Sequence, residues 1–117
     1  MTDFLMSARA LVMHDLEATG TASPDVVSLL EDILVNRRWW SDQWPAGRQY
    51  LDGLVAQDLQ DELLERRGRW PVCPRCDDAL HALYIHPELG GPDPVWVCED
   101  SGTVVAALGD LGTAPAP

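Results

Sequence analysis

The residues in this sequence best suited to chemistry are its three cysteines. Cys73 and Cys76 stand two residues apart with a proline between them, and Cys98 follows further along the chain. A Cys-x-x-Cys turn can point both thiolates at one metal ion, as in half of a zinc site. In a zinc ribbon, a second Cys-x-x-Cys-Gly turn would start at the third cysteine. Here Ser101 stands where its second cysteine would be, and Gly102 follows.

Three thiolates leave one position on a tetrahedral zinc ion to be filled. His81 is the first choice, because imidazole completes a Cys₃His site and His81 lies close in sequence to the first turn. His86 is the second choice, and Glu99 and Asp100 are possible oxygen ligands beside the third cysteine. The sequence thus predicts one structural Zn²⁺. Its predicted ligands are Cys73, Cys76, His81 and Cys98.

The same cysteines have a simpler interpretation, in which they pack as small hydrophobic residues in an apolar sheet. The part of the chain around them favours the metal. Short strands are predicted at 80–85, 95–98 and 103–108, with a turn-rich break at 90–94. Turn, strand, loop, strand, turn and strand is the order of a zinc ribbon. So small a unit with few large apolar side chains needs a staple to be stable.

The sequence predicts that the first 69 residues are mainly helical. Apolar residues at helical spacing predict a helix over 4–16, with Asp15 on the same stripe and Gly20 as a stop. A serine N-cap at Ser23 and a proline at Pro24 predict the start of a second helix, with Arg37 and Arg38 in its last turn. A connector carrying three tryptophans is predicted over 39–45, and a third helix over 46–67.

The predicted fold class is therefore α+β. An N-terminal helical unit of about three helices occupies residues 1–69, and a small zinc-ribbon-like β unit occupies 70–111. The last segment, 112–117, is rich in Thr, Ala and Pro and is predicted to be disordered. No segment has the length of apolar residues that a membrane span needs, and the N-terminus lacks the features of a signal peptide. We expect a cytoplasmic protein.

The net charge of the chain indicates which class of partner it can bind. Nineteen acidic residues against eight basic ones give a net charge of −11, and all eight basic residues are arginine. This acidity repels phosphate backbones at long range and suits a basic protein surface better than bulk nucleic acid. Three cysteines in a reducing compartment fit metal ligands or buried thiols better than a disulfide framework.

Residues 54–111 resemble a group of small uncharacterised actinobacterial proteins. The resemblance rests on an acidic helix followed by the runs Trp-Pro-Val-Cys-Pro at 70–74 and Val-Trp-Val-Cys at 95–98. In that group the first turn is Cys-Pro-x-His followed by a second His, which implies a Cys-His-His-Cys site. By this resemblance Cys73 and Cys98 match directly, Cys76 stands at the first His, and His81 is nearest to the second at a longer spacing.

Three classes of function fit these features. The first is an adaptor or regulatory protein, in which zinc holds the ribbon and the molecule works through protein–protein contacts. Aromatic residues dominate interface hot spots, although tryptophans at helix joints also seal small cores. The tryptophans considered as anchors are Trp39, Trp40, Trp44 and Trp70.

The second class is a nucleic-acid-binding regulator, since arginines stand beside tryptophans at 37–40 and 66–70. The many acids dilute any positive patch and disfavour this reading. The third class is a zinc enzyme with an open ligand position near Glu99 and Asp100. Thiolates weaken the Lewis acidity of zinc, and no His-Glu-x-x-His motif occurs. The sequence therefore favours a binding protein over an enzyme.

Overall fold

A computed structural model of the chain describes residues 4–74, 81–87 and 93–112. Its elements are α1 (Phe4–Ala18), α2 (Pro24–Gln43), a 3₁₀ helix (Pro45–Tyr50), α3 (Leu51–Arg66), β1 (Leu83–His86), β2 (Val95–Cys98) and β3 (Val104–Ala107). Helices followed by a small antiparallel sheet confirm the predicted α+β class. Within the described ranges, no helix has both the length and the apolar character needed to cross a membrane.

Gly20 and Pro24 mark the end of the first helix and the start of the second, as predicted. Gly20 follows α1 with a φ of +70°, in the left-handed region that favours glycine. Pro24 is the first residue of α2, and Ser23 precedes it in an extended conformation. The Ser23 hydroxyl does not cap the helix but donates to Oδ1 of Asp25 at 2.6 Å. Proline and the acidic first turn therefore start α2 without a side-chain cap.

The prediction of a connector from residue 39 onward is wrong in its first part. The helix α2 continues through Trp39 to Gln43, because tryptophan is tolerated in helices and no breaker occurs before Pro45. As a result, Arg37 and Arg38 lie inside α2 and not in its last turn.

The third helix begins differently from its prediction as well. Residues from Pro45 form a 3₁₀ helix, and the α-helix starts only at Leu51. Gly47 lies against two indole rings, where an added Cβ would come within 2.6 Å of ring atoms of both Trp40 and Trp44. The tight turn of a 3₁₀ helix with glycine at this contact lets the chain pass close to the tryptophans.

The sheet has the strand order β1-β2-β3, and both pairs are antiparallel. Leu83 pairs with Cys98 at one end of β1, and His86 pairs with Val95 at the other. The strand predicted at 80–85 is thus shifted toward the C-terminus. Residues 81–83 also pair backward with residues 71–73, through a bridge between Val72 and Ala82 and two flanking hydrogen bonds.

The helices and the sheet share one hydrophobic cluster. Leu16, Leu30 and Leu59 enter it from the three helices, and Ile85 and Trp96 enter it from the sheet. All five side chains are almost fully buried. The apolar stripes of the helices therefore pack against the inner face of the sheet as well as against one another.

Trp70 and Gln60 fasten the start of the β region to the helices. Trp70 packs edge-on against Trp96 at 5.5 Å between ring centroids, and its Nε1 donates to Oγ1 of Thr19 at 3.0 Å. Nε2 of Gln60 donates both to the carbonyl of Trp70 at 3.0 Å and to the carbonyl of Leu83 at 2.8 Å. The predicted boundary at residue 70 thus lies at a buried side chain.

A buried carboxylate ties α1 to the end of the sheet. Asp15 is fully buried, and its Oδ2 accepts hydrogen bonds of 2.8 Å from Nε1 of Trp96 and from the amide of Gly109. Its Oδ1 accepts the amide of Leu111 at 3.0 Å and lies 2.9 Å from Nδ1 of His14. Each carboxylate oxygen is thereby satisfied, as a buried acid requires.

Candidate metal site

The backbone pairing between residues 71–73 and 81–83 places Cys73 beside His81. The amide of Cys73 donates to the carbonyl of His81 at 3.1 Å, and the amide of Leu83 donates to the carbonyl of Pro71 at 2.8 Å. These bonds flank the bridge between Val72 and Ala82 and make a short antiparallel ladder. The first two candidate ligands are therefore positioned by main-chain hydrogen bonds.

Cys98 is the last residue of β2, and a tight turn follows it. The amide of Gly102 donates to the carbonyl of Cys98 at 2.9 Å, and the amide of Cys98 donates to the carbonyl of Thr103 at 2.9 Å. Gly102 has a φ of +75°, which explains why glycine stands there. The amide of Ser101 lies 3.4 Å from Sγ of Cys98 and points at it as a donor. The turn expected after the third cysteine is therefore present without its second cysteine.

These two arrangements bring Cys73, His81 and Cys98 together. Their ligand atoms all lie within 4.8 Å of one another, and Nε2 of His81 is 3.2 Å from Sγ of Cys98. Cys73 and Cys98 are only 1% and 2% exposed, while His81 is half-buried. Two thiolates and an imidazole in this geometry can hold a metal ion.

The distances fit a tetrahedral ion. Bonds of about 2.3 Å to sulfur and about 2.0–2.1 Å to nitrogen place the ligand atoms of a tetrahedral zinc site roughly 3.5–3.8 Å apart. The contact between His81 and Cys98 is slightly shorter than this range, and every other pair lies within the 4.8 Å limit. Side-chain adjustments of up to about 1 Å would therefore bring the three donors around one ion.

The surroundings of the cluster favour the thiolate form of Cys98. The hydroxyl and the amide of Ser101, followed by the amide of Asp100 and the side chain of His81, lower the pKa of the Cys98 thiol to about 6. Hydrogen bonds to Cys73 and then to Cys98 raise the pKa of the His81 imidazole above its usual value. A metal ligand must be a thiolate, so the turn at 98–102 prepares Cys98 for binding near neutral pH.

The other two predicted ligands, Cys76 and His86, are not part of the described cluster. Cys76 lies outside the described residues, which leave out 75–80. His86 is exposed and pairs with Val95 at the opposite end of β1 from Cys98. At about 3.3 Å per strand residue, this places the backbone of His86 roughly 10 Å from the Leu83 position that faces Cys98. His86 therefore does not join the cluster.

The acidic candidates and Ser101 take other roles. Oε1 of Glu99 accepts a hydrogen bond of 3.2 Å from the amide of Ala82, so this carboxylate links the turn to the strand that carries His81. Asp100 is exposed. The hydroxyl oxygen of Ser101 lies 3.0 Å from Oγ1 of Thr103 and accepts the Thr103 amide at 3.2 Å. Glu99 and Ser101 thus support the cluster, a role that the motif alone did not indicate.

A groove of about 380 Å³ lies next to the site, between α3 and β1. Its walls include Asp61, Leu64, Arg69 and Tyr84, and Glu99 reaches it from the turn. Among the residues that the structure describes, none of the three clustered ligands lines this groove. The ligand atoms therefore face one another and not the groove.

Comparison with known proteins gives the chain a family. No curated protein and no solved structure matches it. The model of the family DUF8819, a domain of unknown function, matches residues 1–108, and the chain belongs to that family.

Proposed function

We propose that this protein is a small zinc-stabilised adaptor or regulatory protein of the cytoplasm. In this proposal one Zn²⁺ is held by Cys73, His81 and Cys98 with Cys76 as the fourth ligand. The metal is structural, and the molecule works through contacts with a protein partner. Zinc would supply cross-links among the ladder at 71–73, the strand at 81–83 and the turn after β2.

The observation that carries the proposal is the burial of the two clustered thiols. Cys73 and Cys98 are 1% and 2% exposed, and both belong to the hydrophobic cluster shared with the helices. A catalytic zinc needs an open position that substrate or water can reach, whereas a structural zinc is closed on all sides. Buried thiolates away from the neighbouring groove fit the closed kind of site.

The donor set supports a soft or borderline metal ion such as zinc. Thiolate and imidazole ligands are soft or borderline, and they select zinc over magnesium or calcium, which prefer oxygen. The β region also has short strands of four residues each. Such a small sheet has few hydrogen bonds of its own, and a metal that joins three of its segments adds stability directly.

Metal analysis tests the zinc half of the proposal. Protein produced with zinc in the medium should contain about one zinc per chain, and Cys98→Ser should lose it. Asp100→Ala is the matched control, because it changes an exposed residue of the same turn and leaves the thiols and the Ser101 hydroxyl in place, so it should keep one zinc per chain. Chelation should broaden or shift the amide NMR signals of residues 95–107. A zinc-free wild type, or a Cys98→Ser variant that keeps full zinc, would overturn the proposal.

A further inference from the structure

The outward face of α2 carries two large apolar side chains that are mostly exposed. Val35 and Trp39 are 68% and 67% exposed, and they stand one helical turn apart. Asp32 and Asp42, both exposed, extend the same face at either end. We call these four residues, at positions 32, 35, 39 and 42, the Trp39 stripe. The opposite face of α2, which includes Val26 and Leu30, is buried in the core.

Exposure on this scale is unusual for tryptophan. The indole is the largest apolar side chain, and its amphipathic ring makes it the commonest anchor of protein interfaces. Trp40, the next residue, is half-buried and packs edge-on against Trp44 at 5.4 Å. The fold thus uses one of two adjacent tryptophans for its own packing and presents the other outward.

The charges around Trp39 indicate what can cover it. Asp32 lies seven residues before Trp39 and Asp42 lies three after it, so both ends of the stripe are negative. The exposed Arg38 lies beside the stripe and already makes a contact of its own. The whole chain carries a net charge of −11. An anionic surface such as nucleic acid or an acidic membrane would be repelled. A cationic segment gains both apolar contact and ion pairs.

A second copy of the chain is a poor occupant for the same reason. If two α2 helices paired antiparallel about the middle of the stripe, Asp32 of one copy would face Asp42 of the other. If they paired parallel, each aspartate would face its own counterpart. Either arrangement puts carboxylates together as apolar surface is buried, which is unfavourable.

Within the chain itself, an arginine near the Trp39 stripe contacts both a tryptophan ring and a carboxylate. The guanidinium of Arg37 lies 5.0 Å from the ring centroid of Trp40. The same guanidinium donates to both oxygens of Asp58, at 2.6 and 2.9 Å. One arginine thus satisfies an indole face and a carboxylate at the same time, a combination for which lysine lacks the planar group.

We propose that the Trp39 stripe binds an arginine-bearing amphipathic helix of a partner protein. A guanidinium of the partner stacks on the indole of Trp39, its apolar residues cover Val35, and its further arginines pair with Asp32 and Asp42. This names the surface and the chemistry of the partner within the function proposed above, on whose interaction role it rests.

The test uses a defined probe, a fluorescently labelled 18-residue helical peptide of leucine and arginine with arginine on one side of the leucine stripe. We expect micromolar binding by anisotropy that weakens as salt rises. Trp39→Ala should weaken it at least tenfold, and Asp32→Asn with Asp42→Asn should flatten the salt dependence. Leu64→Ala removes an equally exposed apolar side chain on α3 and should bind as the wild type does.

Two matched peptides complete the test: lysine in place of arginine should bind several-fold more weakly, and glutamate should not bind. Equal binding of the arginine peptide by Trp39→Ala, or no binding by the wild type, would overturn the stripe. So would a Trp39-dependent dimer in light scattering. Zinc content is measured in every sample. If the peptide does not bind although each chain carries one zinc, only the proposed docking surface is contradicted. If the peptide binds although the protein carries no zinc, only the proposed metal site is contradicted.

Discussion

Oδ2 of Asp15 accepts a hydrogen bond of 2.8 Å from Nε1 of Trp96, 81 residues further along the chain. The same carboxylate accepts the amides of Gly109 and Leu111. A single acid on α1 therefore fixes the central strand of the sheet and the turn that follows its last strand. This contact is buried, and Trp96 belongs to the same hydrophobic cluster as the candidate metal ligands Cys73 and Cys98.

We predict that Asp15→Ala is strongly destabilising. The substitution leaves two buried donors and one half-buried donor without an acceptor, and we expect a loss of about 3–5 kcal/mol in the free energy of unfolding. Trp96→Phe removes only one of these donors and keeps most of the ring, so it should cost about 1–2 kcal/mol. Urea denaturation measures both. Asp32→Ala, an exposed acid on α2, should stay within roughly 0.5 kcal/mol of the wild type. An equally small effect at Asp15 would contradict the role assigned to it.

Gln60 provides a second joint, between α3 and the β region. Gln60→Leu keeps the side-chain volume but removes the amide that serves the carbonyls of Trp70 and Leu83. We expect a loss of about 1–2 kcal/mol in the free energy of unfolding, and faster hydrogen exchange at residues 81–83. Gln49→Leu is the control, because Gln49 is exposed and its amide donates to the carbonyl of Ala46 three residues away, a local bond within the 3₁₀ helix. If both variants unfold at the same urea concentration, Gln60 is not a joint.

Cobalt substitution distinguishes the two histidines. Replacing zinc by Co²⁺ gives visible absorption bands whose intensity reports a tetrahedral site. We expect His81→Ala to weaken metal binding by roughly 10- to 100-fold or more and to alter these bands, because its Nε2 lies beside Sγ of Cys98. His86→Ala, at the far end of β1, should leave both the spectrum and the affinity unchanged. The reverse pattern would assign the site to His86.

The lowered pKa of Asp25, in the first turn of α2, predicts how the stability of the fold depends on pH. Hydrogen bonds from Ser23 and then from Arg67 lower the pKa of Asp25 from 3.8 to about 2. Because the folded pKa is depressed, the stability that this carboxylate adds is present above about pH 3.8 and is lost as pH falls through about 2. Ser23→Ala removes the largest cause, so the Asp25 titration followed by carboxyl NMR should move up toward 3.8.

Ser28→Ala is the control for this titration, since Ser28 is exposed on the same helix, and it should leave the Asp25 midpoint in place. A wild-type midpoint already near 3.8 would mean that Ser23 and Arg67 do not stabilise the charged form in solution.

The helices could be predicted from the sequence because their apolar spacing and their breakers are local signals. Gly20, Pro24 and Pro45 each mark a boundary in the structure. The error at residue 39 arose because a cluster of tryptophans resembles a connector, although only Pro45 lacks the amide that a helix needs. The change from α to 3₁₀ geometry around Gly47 depends on packing against Trp40 and Trp44, which no local pattern reveals.

The residue types of the candidate site could be predicted from the sequence, but the hydrogen bonds that position them could not. Cysteine spacing and a nearby histidine pointed to Cys73, His81 and Cys98, which do lie together. The ladder that aligns Cys73 with His81 is a backbone arrangement, and the contact of Glu99 with the amide of Ala82 follows from it. Asp15 did carry a signal, since an acid on an apolar stripe has to find partners when it is buried.

The long reach of Asp15 has a consequence for the newly made protein. The amides of Gly109 and Leu111 lie 94 and 96 residues downstream of this carboxylate. At the usual speed of the ribosome, α1 exists for roughly 5–20 s before those residues are even synthesised. During this interval its apolar stripe carries an unsatisfied negative charge, which keeps the nascent helix hydrated and opposes early collapse. We therefore expect a chain that stops short of Gly109 to keep that charge without its amide partners and to be less stable than the finished chain.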